Sequence, residues 1–239
     1  MITANVLQRV FHIKFGNSSA TAFIIDVDEK QYFVTAKHVL KDIKAEDMIE
    51  IYHESVWKKL EVKLVGHHDK ADVTVFATNN VHLPSHPMTP TMDGIALSQD
   101  VFFLGFPLGL MSEAGEINRN FPFPLVKKGC LSSIPIKDPN SPDGRYMLID
   151  GHNNRGFSGG PVVFQKTLGG EFFVCGVIHG YMQDIGDVVP VPTENDTKLV
   201  AMQNSGIMKV YSIEHALELI NTNPIGCPIP KVTLTGSNN

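Results

Sequence analysis

From Val10 onward, short runs rich in Val, Ile, Phe and Thr recur every ten or so residues and are broken by turn-forming residues, a pattern that predicts strands in a sandwich or barrel. Val10–Phe15, Ala22–Val27 and Gln31–Thr35 open the series, and the polar triplet Asp28-Glu29-Lys30 between the last two is short enough for a hairpin. Met48–Tyr52, Trp57–Val65 and Asp72–Ala77 complete a first group of six. Asn79 to Pro90, with Pro84, Pro87 and Pro90, reads as a linker. A second group of six follows: Val101–Leu104, Val126–Ile134, Tyr146–Ile149, Pro161–Gln165, Phe172–Ile178 and Ile207–Tyr211. The polar segments Ser112 to Pro124 and Gln183 to Lys198 are long for connections and are expected as surface loops. Ile213, Ala216, Leu217 and Ile220 then fall on one helical face, with Ser212 as the expected N-cap and Pro224 beyond the end.

Two strand groups predict an all-β chain of two packed six-stranded antiparallel β-barrels with a short C-terminal helix. The expected domains are 1–92, 93–222 with the helix, and an extended tail over 223–239. At 239 residues and 43% hydrophobic content the chain can bury a large core. The 20 Lys and Arg against 25 Asp and Glu leave a formal charge of −5 without a basic cluster, so nucleic acid is not an expected partner. The longest apolar run, Val101 to Met111, contains Gly105, Pro107 and Gly109 and is too short to cross a membrane. Met1 to Arg9 lacks the basic start and apolar core of a secretory signal, so a cytoplasmic location is expected. Cys130, Cys175 and Cys227 cannot all pair, and each sits among apolar residues, as buried thiols do. No cofactor and no metal are expected, and His67-His68-Asp69 reads as a solvated turn rather than a zinc site.

The chemistry concentrates in Gly156-Phe157-Ser158-Gly159-Gly160-Pro161, where glycines let the backbone bend sharply around a serine hydroxyl. A serine attacks carbonyls only when a histidine takes its proton and a carboxylate orients that histidine. The same residues satisfy the G-x-S-x-G elbow of α/β-hydrolases, but there the acid and the histidine follow the serine, on a fold of alternating strands and long helices. Here Thr35-Ala36-Lys37-His38-Val39 and Ala71-Asp72-Val73-Thr74-Val75 precede it.

In that order of histidine, aspartate and serine the chain resembles the chymotrypsin-like (trypsin-fold) serine proteases. The resemblance covers about Val10 to Ile220 and is nearest to the disulfide-poor bacterial branch that includes the high-temperature-requirement proteases. Leu104-Gly105-Phe106-Pro107, Gly129-Cys130-Leu131-Ser132, Asp150 and Asn204-Ser205-Gly206 are similar to that branch's landmarks. It implies a serine endopeptidase acting on polypeptides, with His38 as general base, Asp72 as its orienting carboxylate and Ser158 as nucleophile. It also implies an oxyanion hole from the N–H groups of Gly156 and Ser158, and a specificity pocket lined by His152, Arg155, His179 and Tyr181. Two histidines in such a pocket would favour an acidic or amide side chain.

The chain departs from secreted trypsins beside the nucleophile, where Phe157 replaces the aspartate that pairs with a newly cut N-terminus. Activation by that cut is therefore unavailable, and other contacts must hold the oxyanion loop. An unrestrained peptidase in the cytoplasm is hazardous, so a narrow substrate or a regulatory protein partner is expected. The alternative is a protease fold kept as a binding or scaffold module, inactive or in need of a partner to order its site.

Overall fold

The structure, a computed structural model, describes residues 1–44, 47–83, 88–138, 141–187 and 200–230. After a short helix α1 (Ala4–Leu7), three strands follow in register, β1 (Val10–Phe15), β2 (Ser18–Val27) and β3 (Lys30–Thr35). Asp28 and Glu29 both take positive φ, 49° and 58°, which is the two-residue turn whose twist suits a hairpin. Helix α2 (Lys37–Leu40) leads to β4 (Met48–His53), β5 (Val56–Glu61), β6 (Lys63–His67) and β7 (Thr74–Ala77). The expected strand Trp57–Val65 is broken at Val62 into β5 and β6. Because β5 and β6 form the two ends of the sheet order β5-β4-β1-β2-β3-β7-β6, their continuity through Val62 closes six strands into a barrel.

The second barrel comprises β9 (Asp100–Gly105), β10 (Leu125–Asp138), β11 (Ser141–Asp150), β12 (Pro161–Gln165), β13 (Phe172–Asp187) and β14 (Val200–Ser212). It closes by hydrogen bonding, since β12 pairs with both β9 and β13. Two expectations change here. Gln183 to Asp187, expected within a loop, instead extend β13 against β14, while 188–198 lie outside the described residues. Ser112 to Pro124 carries a 3₁₀ turn at Gly115–Asn118 with Asn118 buried, and its Ser112 bridges to Phe123. In the expected linker, Pro84 and Pro87 lie outside the described residues, and β8 (Thr89–Pro90) runs parallel to β13. In the tail, β15 (Cys227–Pro228) pairs with β3, and 231–239 lie outside the described residues.

The core has three parts, which explains why the strands read as apolar runs rather than alternations. Phe11, Ile13, Ala22, Ile24 and Phe33 fill the first barrel, and Val101, Phe103, Met147, Ile149 and Val210 fill the second. Between them, Phe23, Ile25, Val34 and Val75 meet Leu104, Val163, Val174 and Val177, so β2 is buried on both faces. Helix α3 (Glu214–Thr222) buries Ala216 and Ile220 in that same interface and touches β6, β7 and β14. Its N-cap is Ile213 rather than Ser212; Ser212 stands one residue outside and still accepts the Glu214 N–H at 3.2 Å. All three cysteines are free, and burial pushes the Cys175 thiol up to about 12. Among the described residues no helix is long and apolar enough to cross a membrane.

His12 of β1 is buried, stacked on Phe106 at 4.7 Å and bonded to Ser19 Oγ at 2.6 Å. Burial lowers its pKa from 6.5 to about 4, because the charged ring would lose its hydration. A depressed folded pKa means that the unfolded chain binds the proton more readily, so stability is full above pH 6.5 and falls as pH drops through 4. We expect this ring to cost up to about 3 kcal/mol across that window. Urea unfolding at stepped pH values should show the loss, and His12→Gln should flatten it.

Candidate active site

The site forms where the two barrels meet. Ala36 follows β3 in extended conformation and caps the single turn of α2, which carries His38 to the rim. Asp72 was expected to open a strand, but it lies in the turn ahead of β7, two residues before Thr74. The turn aims both carboxylate oxygens at the histidine. Oδ1 accepts the His38 backbone N–H at 2.7 Å, and Oδ2 lies 2.6 Å from His38 Nδ1. Burial alone would raise the Asp72 pKa, but the hydrogen bonds from His179 and His38, with their charge, outweigh it and hold it at about 2. A carboxylate that stays ionised only accepts, so His38 carries its proton on Nδ1 and presents a free lone pair on Nε2.

His68 supports this arrangement from below. Its carbonyl accepts Lys37 Nζ at 2.9 Å, next to His38, and its Nδ1 accepts the N–H groups of Lys70 and Ala71 at 3.2 and 3.0 Å, just before Asp72. Its Nε2 reaches Glu218 of α3 at 2.8 Å. His67-His68-Asp69 is thus more than a solvated turn, since His68 is buried and ties helix α3 to the segments bearing His38 and Asp72.

Ser158 sits on the tight turn before β12. Gly156 takes φ 104°, and a Cβ there would come within 2.3 Å of the Phe106 carbonyl. Phe157 is fully buried in the second barrel against Phe103, at 5.2 Å between ring centroids. This apolar anchor stands where secreted trypsins place an acid. The other anchor is Thr21 of β2, on the opposite barrel. Its N–H donates to the Ser158 carbonyl at 3.0 Å, its hydroxyl donates to the Gly156 carbonyl at 2.7 Å, and the same Thr21 Oγ1 accepts the Phe106 N–H at 3.1 Å. Among the described residues, the N–H groups of Gly156 and Ser158 donate to no protein acceptor, as an oxyanion hole requires. Gly159, at φ +80°, packs so closely on the first barrel that a Cβ would lie 2.1 Å from Thr35 Oγ1 and 2.3 Å from the Thr21 carbonyl. We expect Gly159→Ala to destabilise the fold by upwards of about 4 kcal/mol, measured by urea unfolding.

The predicted residues divide into two sets. His38 and Asp72 meet directly, whereas the Ser158 hydroxyl donates to the His179 carbonyl at 3.0 Å rather than to His38. His179, expected in the specificity pocket, turns its Nδ1 to Asp72 Oδ2 at 2.5 Å. His152 and Arg155 are exposed; their carbonyls accept Lys127 Nζ and the Leu108 N–H, the latter at 2.8 Å, and Tyr181 is half-buried on β13. Thr21 and the second role of His179 went unforeseen. A threonine amid a strand of apolar residues was the only trace of the first, and nothing in the sequence signalled the second. Among the described residues, two groups could hold a metal ion, His38 with Asp72 and His179, and His68 with His215 and Glu218.

The model of the trypsin-like peptidase domain family matches residues 20–168. Among solved structures, the HtrA-type protease AlgW with a tripeptide superposes with a TM-score of 0.61 at 19% identity, over 91% of this chain and 60% of that one. A serine-to-alanine mutant of Rv3671c from M. tuberculosis, in its inactive form, gives 0.60 at 19% identity, over 95% and 92%. The serine endoprotease from Yersinia pestis gives 0.58 at 19%, over 91% and 63%. The chain therefore spans about 60% of the AlgW chain, and at such identities the likeness is one of fold. No curated protein sequence matches the chain.

Proposed function

Because the chain belongs to the trypsin-like peptidase domain family, we propose that it is a serine endopeptidase that cleaves polypeptides through His38, Asp72 and Ser158. The observation that carries this reading is the two-point grip of Asp72 on His38, through the ring Nδ1 and the backbone N–H. That grip fixes the tautomer whose Nε2 can take a proton, and the ionised carboxylate stabilises the imidazolium that results. For attack, Ser158 Oγ has to leave the His179 carbonyl and reach Nε2. Oγ then attacks the scissile carbonyl as His38 takes its proton. The developing oxyanion lies against the N–H groups of Gly156 and Ser158. His38 returns the proton to the leaving amine, and water, deprotonated by the same ring, releases the acyl group.

Phe157 in the core and Thr21 across the interface hold the oxyanion loop without a cut N-terminus, so activity is expected without N-terminal cleavage. One observation favours a second reading, a resting state that a partner or substrate must turn on: the Ser158 hydroxyl points to the His179 carbonyl. Reaction with a fluorophosphonate probe, followed by mass spectrometry of the adduct, separates the two. Labelling at Ser158 that disappears in His38→Ala supports an assembled site, and a folded protein that does not label supports the resting state.

A further inference from the structure

Asp72 Oδ2 holds two imidazoles at once, His38 Nδ1 at 2.6 Å and His179 Nδ1 at 2.5 Å, on rings that stand at 89° to each other. The catalytic sequence above uses the first contact and leaves the second without a task. The three ligand atoms lie within 4.8 Å of one another. Both rings are open to solvent, with side chains 46% and 38% exposed, while Asp72 is 12% exposed beneath them. Two imidazole nitrogens and one carboxylate oxygen are the donors of three-ligand zinc sites that keep a fourth position open.

From these contacts we infer that His38, Asp72 and His179 form a site for a zinc-like divalent transition metal, and that occupancy switches the peptidase off. A tetrahedral ion at zinc-ligand distances keeps its donors roughly 3.3 Å apart, so each ring needs to withdraw from Asp72 by less than about 1 Å. The single turn of α2 and the exposure of both rings permit that movement. Asp72 stays oriented meanwhile, because Oδ1 remains on the His38 backbone N–H. The ion takes the Nδ1 lone pair of each ring, and each Nδ1 proton passes through solvent to Nε2 of the same ring, so the count of protons is unchanged. A His38 that carries its proton on Nε2 cannot accept the one from Ser158. Magnesium and calcium, which prefer oxygen ligands, do not match this donor set.

The cluster of His68, His215 and Glu218 makes an internal control. There the His68 Nδ1 lone pair is already taken by the N–H groups of Lys70 and Ala71, which leaves the proton on Nε2 and no lone pair facing Glu218. An ion would have to break both backbone bonds.

The metal site rests on geometry alone, while its effect on hydrolysis rests on the peptidase reading, so two readouts are needed. Cobalt(II) is titrated into the purified full-length chain and followed by visible absorption, and labelling by fluorophosphonate is followed with and without zinc. We expect one cobalt per chain with a tetrahedral band that zinc displaces and magnesium does not. His179→Ala, or His179→Gln if the alanine variant does not fold, should weaken binding by more than about 100-fold, and His215→Ala should leave it unchanged. Zinc should block labelling of Ser158 and a chelator should restore it. No band at millimolar cobalt, a band that survives both His179 variants, or one that vanishes in His215→Ala overturns the site. Undiminished labelling of zinc-saturated protein overturns the inhibition. A band in a chain that never labels keeps the site and leaves the inhibition without an active peptidase to act on, which overturns the switch and not the metal site.

Discussion

Replacing Ser158 with alanine removes fluorophosphonate labelling and lowers kcat for peptide hydrolysis by on the order of 10⁶, about 8 kcal/mol of transition-state stabilisation. The hydroxyl makes one hydrogen bond, to the His179 carbonyl, so its loss changes folding stability by no more than about 1 kcal/mol. The backbone of the turn is held by Thr21 and Phe157, neither of which touches the hydroxyl, so KM should stay close to its original value. His38→Ala should cost a similar factor, and the double variant should be no worse than either single one, because nucleophile and base act as a unit. Losses that multiply in the double variant would mean that the two side chains work independently, contrary to the proposed mechanism.

Asp72→Asn should lower kcat by about 10⁴ while leaving the fold in place. The carboxylate accepts from His38 and His179 together, and an amide has one oxygen to accept with and an NH₂ that donates. One of the two rings must then switch tautomer or turn away, and a His38 that switches loses the lone pair on Nε2. The same substitution has a signature in acid. With a pKa held at about 2 against an ordinary 3.8, the folded chain keeps Asp72 ionised more readily than the unfolded chain does. That contribution is complete above pH 3.8 and disappears as pH falls through 2, and it amounts to about 2 kcal/mol. The variant should therefore unfold with a shallower pH dependence in that window, read from urea midpoints at stepped pH. A kcat within tenfold of the parent would remove Asp72 from the mechanism.

The barrels were legible in the sequence because each strand is short, apolar and bounded by turn residues, and the hairpin at Asp28-Glu29 follows directly from its length. Their mutual packing was not legible, because a strand buried on both faces, as β2 is, reads the same whether its second face meets a helix, a sheet or another barrel. The break at Val62 leaves no local mark either, since closing a barrel is a property of the whole sheet. In the site, the glycines around Ser158 announced a strained turn, and His38 and Asp72 meet as their order along the chain implies. The direction of His179 was invisible because the pairing of β13 with β14 shifts register between Ile178 and Gly180, and an irregularity of that kind re-aims a side chain without a mark in the sequence. Thr21 was missed for a related reason: its partners lie more than eighty residues away in Phe106, Gly156 and Ser158, and no periodicity records a contact of that range.

Thr21 has a bearing on how the chain comes off the ribosome. The turn that bears the nucleophile is held by a strand translated long before it, and the interface around that strand is completed by Ile213, Ala216 and Ile220 near the other end. The reactive geometry therefore arises only when the second barrel docks on the first and helix α3 seals the seam. Under the proposed function, competence to cleave follows the translation of helix α3 rather than that of the serine itself.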